Sequence, residues 1–231
     1  MKLSIVIPVY NEKNTIKEIL SLIDKINLHG VEKEIIVVDD KSNDGTSEIL
    51  HSVKDKYKII FKDKNEGKGS AVKIGFLEST GDIILIQDAD LEYNPEEYHE
   101  LIGPIIDNKA DVVYGSRFIS NKPHRVLYFW HLVGNRFITL LSNMFTNLTF
   151  TDIETCYKVF NRRALDLIKG KIESNRFGIE PEITALISKS GLRIYEVGVS
   201  YYGRTYQEGK KINWQDGLAA IWFIIKYNLK K

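Results

Sequence analysis

The chain carries a single cysteine among 231 residues. Cys156 can close no internal disulfide, so the fold does not rest on a disulfide framework, and no Cys/His spacing resembles a zinc site. With 5 prolines and 16 glycines, no stretch is rich enough in Pro, Gly or Ser to be a domain linker. Charge of one sign is missing too: 32 Lys and Arg face 31 Asp and Glu, a formal net charge of +1. A near-neutral chain gives no support to general nucleic-acid binding. Long apolar runs are also absent. A membrane-spanning helix needs ~20 mostly apolar residues, and the longest clean run, 218–225, falls far short. The apolar run after Met1 is broken by Pro8, Asn11 and Glu12 and offers no small-residue cleavage site, so it does not read as a signal peptide. These absences predict a cytoplasmic protein. With 43% hydrophobic and 27% charged residues, the composition is that of a globular chain, and its length predicts a single domain over 1–231.

The first half alternates apolar runs with helical patterns. Runs at 3–9, 35–38, 57–61, 83–86 and 112–115 read as strands. Helical spacing separates them, first at Ile16, Ile19, Leu20, Ile23 and Ile26. This order predicts an α/β fold with a mainly parallel sheet and helices on both faces. The second half differs. Residues 126–148 form a long amphipathic segment rich in aromatics. Strands are expected at 157–160 and 194–199, with helices at 181–189 and 214–227.

In open α/β sheets, ligands bind beyond the carboxyl ends of the strands. Three acid-bearing clusters fall at such ends: Tyr10-Asn11-Glu12, Asp39-Asp40 and Asp88-Ala89-Asp90, with Glu92 following. A single Asp pair there is ordinary turn chemistry. Three on one edge repel one another, and a divalent cation or the donors of a polar ligand would offset that repulsion. Hard oxygen ligands suit Mg²⁺ or Mn²⁺ bridging to phosphates. Gly67-Lys68-Gly69 lacks the third glycine of a dinucleotide fingerprint and follows the third strand, so it reads as a tight turn.

Four ordered segments resemble the family-2 glycosyltransferases of the GT-A fold: Ser4-Ile5-Val6-Ile7-Pro8-Val9-Tyr10-Asn11-Glu12, Ile36-Val37-Val38-Asp39-Asp40-Lys41-Ser42-Asn43-Asp44-Gly45-Thr46, Asn65-Glu66-Gly67-Lys68-Gly69 and Asp88-Ala89-Asp90. Further stretches look like the dolichol-phosphate mannose synthase branch. They are Asp88-Ala89-Asp90-Leu91-Glu92, Gly115-Ser116-Arg117-Phe118, Thr155-Cys156-Tyr157-Lys158-Val159-Phe160, and Arg204 followed by Gly209-Lys210-Lys211. The chain departs from that branch in Glu92, where Gln is frequent, and in Cys156, where Gly is usual. The loop after Arg204 differs in length and lacks a Ser before the Lys. These departures bear on the sugar and nucleotide rather than on the reaction class.

The resemblance implies an inverting enzyme that moves a hexose from a GDP- or UDP-linked sugar to a polyprenyl phosphate with help from Mg²⁺ or Mn²⁺. It implies a nucleotide-sugar half at 1–118 and an acceptor half at 119–231. Pro8, Tyr10, Glu12, Asp39 and Asp40 would hold nucleobase and ribose. Asp88 and Ala89 would meet the donor, with Lys68 near it, and Asp90 and Glu92 would hold the metal. Arg204, Lys210 and Lys211 would stabilise the leaving diphosphate from a closing loop. Arg117 would grip the acceptor phosphate through its planar fork, with Arg136 as a second candidate. Asp88, Asp90 and Arg117 form the expected catalytic set. A polyprenyl acceptor also needs an apolar path. The segment 126–145 fits an interfacial helix as well as a core helix, whereas 218–231 reads as core. Peripheral membrane contact is therefore expected. Two other readings stand beside this one. In the first, a family-2 enzyme acts on a sugar hydroxyl, with Asp152, Glu154 or Glu180 as base. In the second, the chain is a non-catalytic nucleotide-sugar binder.

Overall fold

The computed structural model describes residues 1–119, 121–209 and 214–230. Seven strands form one sheet in the order β3-β2-β1-β4-β6-β5-β7. The strands are β1 (Lys2–Val9), β2 (Glu32–Asp39), β3 (Lys58–Phe61), β4 (Ile83–Ile86), β5 (Val112–Ser116), β6 (Lys158–Asn161) and β7 (Ile194–Gly198). β1 lies inside the sheet between β2 and β4. Its residues Leu3, Ile5, Val6, Ile7 and Val9 are all buried, which is why the run is apolar throughout instead of alternating.

The helices are α1 (Ile16–Lys25), α2 (Thr46–His51), α3 (Lys68–Glu78), α4 (Tyr98–Ile106), α5 (Phe129–Thr146), α6 (Arg162–Ile168), α7 (Ile179–Ser188) and α8 (Trp214–Leu229). The turn of 3₁₀-helix Pro95–Glu97 leads into α4, and the Asn94 side chain accepts from the Glu96 amide at its start. One buried apolar cluster draws on residues from Leu3 in β1 to Ile224 in α8. α6 falls in a stretch to which the sequence patterns assign no element.

Strand directions decide where the chemistry can gather. β1, β2, β3 and β4 run parallel. β6 is antiparallel to both β4 and β5, so β5 points the same way as β4, and β7 runs parallel to β5. The carboxyl ends of β1, β2, β4, β5 and β7 therefore share one edge with the amino end of β6. That edge collects Glu12, Asp39, Asp40, Asp88 to Glu92, Arg117, the segment before Lys158, and Tyr201 to Arg204. The sheet is mainly parallel, as the sequence predicts. The reversed β6 is an addition to that picture, and it brings the 151–158 segment to the same edge.

The long segment 126–148 becomes α5, with Ile138, Thr139 and Ser142 buried. Its opposite face is not covered by the described residues. Phe129, Trp130, Val133, Phe137, Leu140 and Met144 are all exposed, Trp130 at 76% and Met144 at 73%. Steps of three and four residues place them along one stripe. α8 buries Ala220, Ile224 and Tyr227 while Leu218 and Trp222 stay exposed. Among the described residues no helix is long and apolar enough to cross a membrane.

Candidate active site

Each acid-bearing turn contains a residue other than glycine in the left-handed region: Asn11 at φ 53°, Lys41 at φ 65° and Leu91 at φ 64°. Asn tolerates this conformation; a Leu there is strained. Leu91 sits between Asp90 and Glu92, and such strain concentrates where a structure positions functional groups.

The carboxylates at the strand ends divide by what they hold. Asp39 Oδ1 accepts from the Ser42 amide at 3.0 Å and the Ser42 hydroxyl at 2.6 Å, and Oδ2 takes the Ser47 hydroxyl. Asp40 accepts from the amides of Glu66 at 3.1 Å and Gly67 at 2.6 Å, and pairs with Lys62 at 2.5 Å. Asp40 thus pins the turn before α3. Gly67 in that turn has φ 103°, and a Cβ there would lie 2.7 Å from the Asn175 carbonyl oxygen. Both Asp39 and Asp40 are buried, and their acceptor capacity is largely spent on the loops that frame the cleft.

Glu12, Asp90 and Glu92 instead converge on one guanidinium. Arg204 meets Asp90 Oδ2 through Nη2 at 3.0 Å, Glu92 Oε1 through Nε at 3.3 Å, and Glu12 Oε2 through Nη1 at 3.4 Å. Its backbone amide donates to Glu92 Oε1 at 2.8 Å, and Tyr201 donates its hydroxyl to Glu92 Oε2 at 2.8 Å. The Tyr202 amide donates to the Glu92 carbonyl at 2.9 Å. Burial opposes the charge of Arg204, but Asp90, Glu12 and Glu92 outweigh it and raise its pKa. Asp90 is pushed up to about 7 by burial and by the charges of Asp88 and Glu92, against the pull of Arg204. The donor set is all carboxylate oxygen, which fits a hard divalent cation. Among the described residues no three His, Cys, Asp or Glu side chains are grouped to hold a metal as they stand; the fork of Arg204 lies between them.

Asp88 faces a different cation. Lys68, the first residue of α3, reaches it at 2.9 Å and also meets Glu180 at 3.0 Å. Glu180 in turn pairs with Lys158, which is fully buried and donates to the carbonyls of Ile153, at 3.1 Å, and Thr155. The result is an alternating row, Asp88, Lys68, Glu180, Lys158, running from β4 to β6. Burial opposes the Lys68 charge, yet Asp88 and Glu180 hold its pKa well above the ordinary value. Glu180 is held down by Lys158 and Lys68 despite its burial. Under this row, Cys156 Sγ accepts the Asp88 amide at 3.1 Å. Burial raises the thiol's pKa.

Arg117 is already engaged. Its Nε and Nη2 bind the two oxygens of Asp152 at 2.6 and 2.7 Å, and its amide also donates to Asp152. Its guanidinium lies over the Tyr201 ring, 5.1 Å from the centroid. Arg136 is exposed on α5, and Tyr10 is 37% exposed at the mouth of the cleft. Pro8 pairs with Val38 one residue before the end of β1, and Ala89 is buried between Asp88 and Asp90. Lys210 and Lys211 lie outside the described residues. The structure thus joins Glu12, Asp90, Glu92 and Arg204 in one cluster and Lys68 with Asp88 in a second. Sequence reading missed the link through Glu180 and Lys158. The one signal that could have found it is a lysine inside an apolar strand.

The sequence matches the family model Glycosyl transferase family 2 over residues 4–168. It is 32% identical over 219 residues to a dolichol-phosphate mannosyltransferase of Pyrococcus furiosus, covering 92% of this chain and 61% of that protein. The chain thus spans about three-fifths of the length of that relative. A UDP-N-acetylglucosamine–dolichyl-phosphate N-acetylglucosaminyltransferase of Methanococcus voltae is 24% identical over 245 residues, covering 98% of this chain and 96% of its own. Among solved structures, glucosyl-3-phosphoglycerate synthase of Mycobacterium tuberculosis, bound to Mn²⁺, UDP and phosphoglyceric acid, superposes with a TM-score of 0.75. It shares 18% identity, and the match covers 99% of this chain and 78% of that one. That likeness identifies the GT-A fold. With the family model covering most of the chain and the acid-bearing strand ends gathered on one edge of that fold, the chain belongs to glycosyl transferase family 2 and is a glycosyltransferase.

Proposed function

We propose that the chain transfers a hexose from a nucleotide sugar to a polyprenyl phosphate at a membrane surface. The observation that carries the choice of acceptor is the exposed apolar stripe of α5, from Phe129 to Met144. The helix that carries the stripe packs its other side against the loop that holds Arg117: the Asn143 side chain bonds Phe150 in both directions, and the Ile153 amide donates to Thr139. Asp152 in that loop grips Arg117. The helix that would carry a lipid chain is thus the one packed on the loop that grips Arg117. The named acceptors of the Pyrococcus and Methanococcus relatives are dolichyl phosphates, which supports the same reading.

On the donor side, Pro8, Tyr10, Glu12, Asp39 and Asp40 frame the nucleoside, with Lys68, Asp88 and Ala89 toward the sugar. Asp90 and Glu92 hold Mg²⁺ or Mn²⁺, which supplies Lewis-acid stabilisation to the leaving diphosphate when bound. The mycobacterial neighbour was crystallised with Mn²⁺ or Mg²⁺ and UDP. Arg204 moves from the carboxylates to the diphosphate oxygens, where a fixed cation in a dry site acts strongly. Lys210 and Lys211 follow it in the chain and join the same role. Arg117, with Arg136 nearer the helix surface, binds the acceptor phosphate. A phosphate monoester is anionic at neutral pH, so its oxygen attacks the anomeric carbon with little need of a base.

The test offers radiolabelled GDP-mannose, UDP-glucose and UDP-N-acetylglucosamine with polyprenyl phosphate in detergent micelles and Mn²⁺. Label passing into an organic-extractable, acid-labile lipid with one donor is expected. Label that reaches only water-soluble acceptors with every donor would rule out the lipid reading.

A further inference from the structure

Three carboxylates of the 119–231 half stand near the cleft, and two are fully engaged. Asp152 is spent on the Arg117 fork, and Glu180 on Lys158 and Lys68. Glu154 is different. Its Oε1 is shielded from solvent and has no hydrogen-bond partner among the described residues, although the residue as a whole is only half-buried. Buried polar atoms without a partner are rare, and each calls for an explanation such as an absent ligand.

The position of Glu154 says what that ligand is. It lies in the loop between α5 and β6, within electrostatic reach of Arg117 after β5, Asp152 in its own loop, Lys158 in β6 and Glu180 in α7. In the chain it stands between Asp152, which grips Arg117, and Lys158, whose row reaches Asp88 through Glu180 and Lys68. On the reading above, a phosphate held by Arg117 and directed to a sugar beside Asp88 comes within reach of Glu154. We propose that Glu154 is a ligand of the acceptor phosphate, its neutral carboxyl donating a hydrogen bond to a phosphate oxygen; this rests on the polyprenyl-phosphate reading above.

The electrostatics agree with the geometry. Burial and the charge of Glu180 push Glu154 up to about 7, while Lys158 and Arg117 pull against them. Both protonation states are thus populated near neutrality, and an arriving phosphate anion favours the neutral form further. An ionised carboxylate in the same place would repel the phosphate and would instead suit a hydroxyl acceptor that must lose a proton. Glutamine separates the two roles: it donates a hydrogen bond and can neither ionise nor accept a proton.

The experiment measures kcat and KM for polyprenyl phosphate and for the donor across the neutral pH range, using the whole chain with Mn²⁺. Glu154→Ala is expected to raise the acceptor KM about tenfold at the acid end, with the donor KM little moved. In wild type the acceptor KM rises toward the alkaline end, and Glu154→Gln flattens that rise. The phosphate titrates in the same range, but it does so in both proteins, so the difference between wild type and Gln isolates Glu154. A loss of turnover on the order of a hundredfold in Glu154→Gln, with its circular dichroism intact, overturns the proposal and makes Glu154 a base. An unchanged acceptor KM in Glu154→Ala also overturns it. If wild type itself labels no polyprenyl phosphate, the acceptor reading falls and takes this proposal with it.

Discussion

Replacing Arg204 by Gln should tighten the binding of Mn²⁺ to the nucleotide-free protein. The reasoning starts from the cluster itself. The guanidinium contacts Asp90, Glu92 and Glu12 at 3.0 to 3.4 Å, so on the proposed reading it stands where the divalent cation would bind. An entering metal must first displace it. Two unit charges about 4 Å apart attract by about 4 kcal/mol at an effective dielectric constant near 20. The Arg204 side chain is 19% exposed, so desolvation and water competition reduce that figure. A remaining penalty of about 1.4 kcal/mol corresponds to a tenfold weaker Kd for the metal. Removing the guanidinium should return that tenfold.

Proton competition works in the opposite direction. Asp90 already sits at about 7, and Arg204 is what holds it down. The variant's Asp90 therefore titrates higher still, and protons compete with the metal near neutrality. Isothermal titration of Mn²⁺ should accordingly be run at about pH 8.5, well above that range, and repeated at about pH 6.5, where the gain should shrink. A second readout is amide exchange. The Arg204 amide donates to Glu92, so Mn²⁺ should loosen residues 201–205 in wild type. With nucleotide present the order reverses: the variant lacks the cation that meets the diphosphate and should bind UDP or GDP with Mn²⁺ more weakly. A variant that binds Mn²⁺ no better than wild type at the higher pH would refute the view of Arg204 as a resident counter-ion.

Two further predictions follow from buried charge and exposed apolar surface. Glu180→Gln leaves Lys158 fully buried with only carbonyl partners, and breaking a buried pair in this way costs about 3–5 kcal/mol. In a chain of this size that is a fall of roughly 10 °C in Tm by calorimetry; the double variant with Lys158→Met should recover most of it, and equal Tm values for single variant and wild type would contradict the buried pairing. Trp130→Glu with Phe137→Glu alters exposed positions, so stability should move by no more than about 0.5 kcal/mol per site, while co-sedimentation with phosphatidylcholine–phosphatidylglycerol vesicles should fall about tenfold; undiminished sedimentation would remove α5 as the docking face.

How far the sequence reaches into this site depends on whether the relevant interaction is local. The strand ends were legible because a buried parallel strand is apolar on both faces and its first acids mark where it stops. Leu3 to Val9 followed by Glu12, and Ile83 to Ile86 followed by Asp88 and Asp90, carry that signal within ten residues. α5 was legible as an amphipathic helix. Which face would be covered was not, because that depends on α8 and α7 leaving the Phe129 to Met144 stripe open. β6 is only four residues long. Its reversed direction is fixed by pairing with β4 and β5, which pattern alone does not reveal.

The charges of the site were the least legible part. A net charge of +1 reads as an unremarkable surface. Lysines and glutamates are almost never buried unless paired, and nothing local in the sequence tells that Lys158 and Glu180 are the pair the fold closes on each other. Arg204 reaches Glu92 across 112 positions in sequence. The neutrality of the chain is thus partly built at the site. Asp88 with Lys68, Glu180 with Lys158, Asp152 with Arg117, and Glu12, Asp90 and Glu92 around Arg204 place several charges in the interior with little net field. In the last group, among the described residues, three carboxylates gather around the guanidinium of Arg204. On the proposed reading, the carboxylates around Arg204 face a metal-bound diphosphate at the donor end, and Glu154 faces the phosphate at the acceptor end.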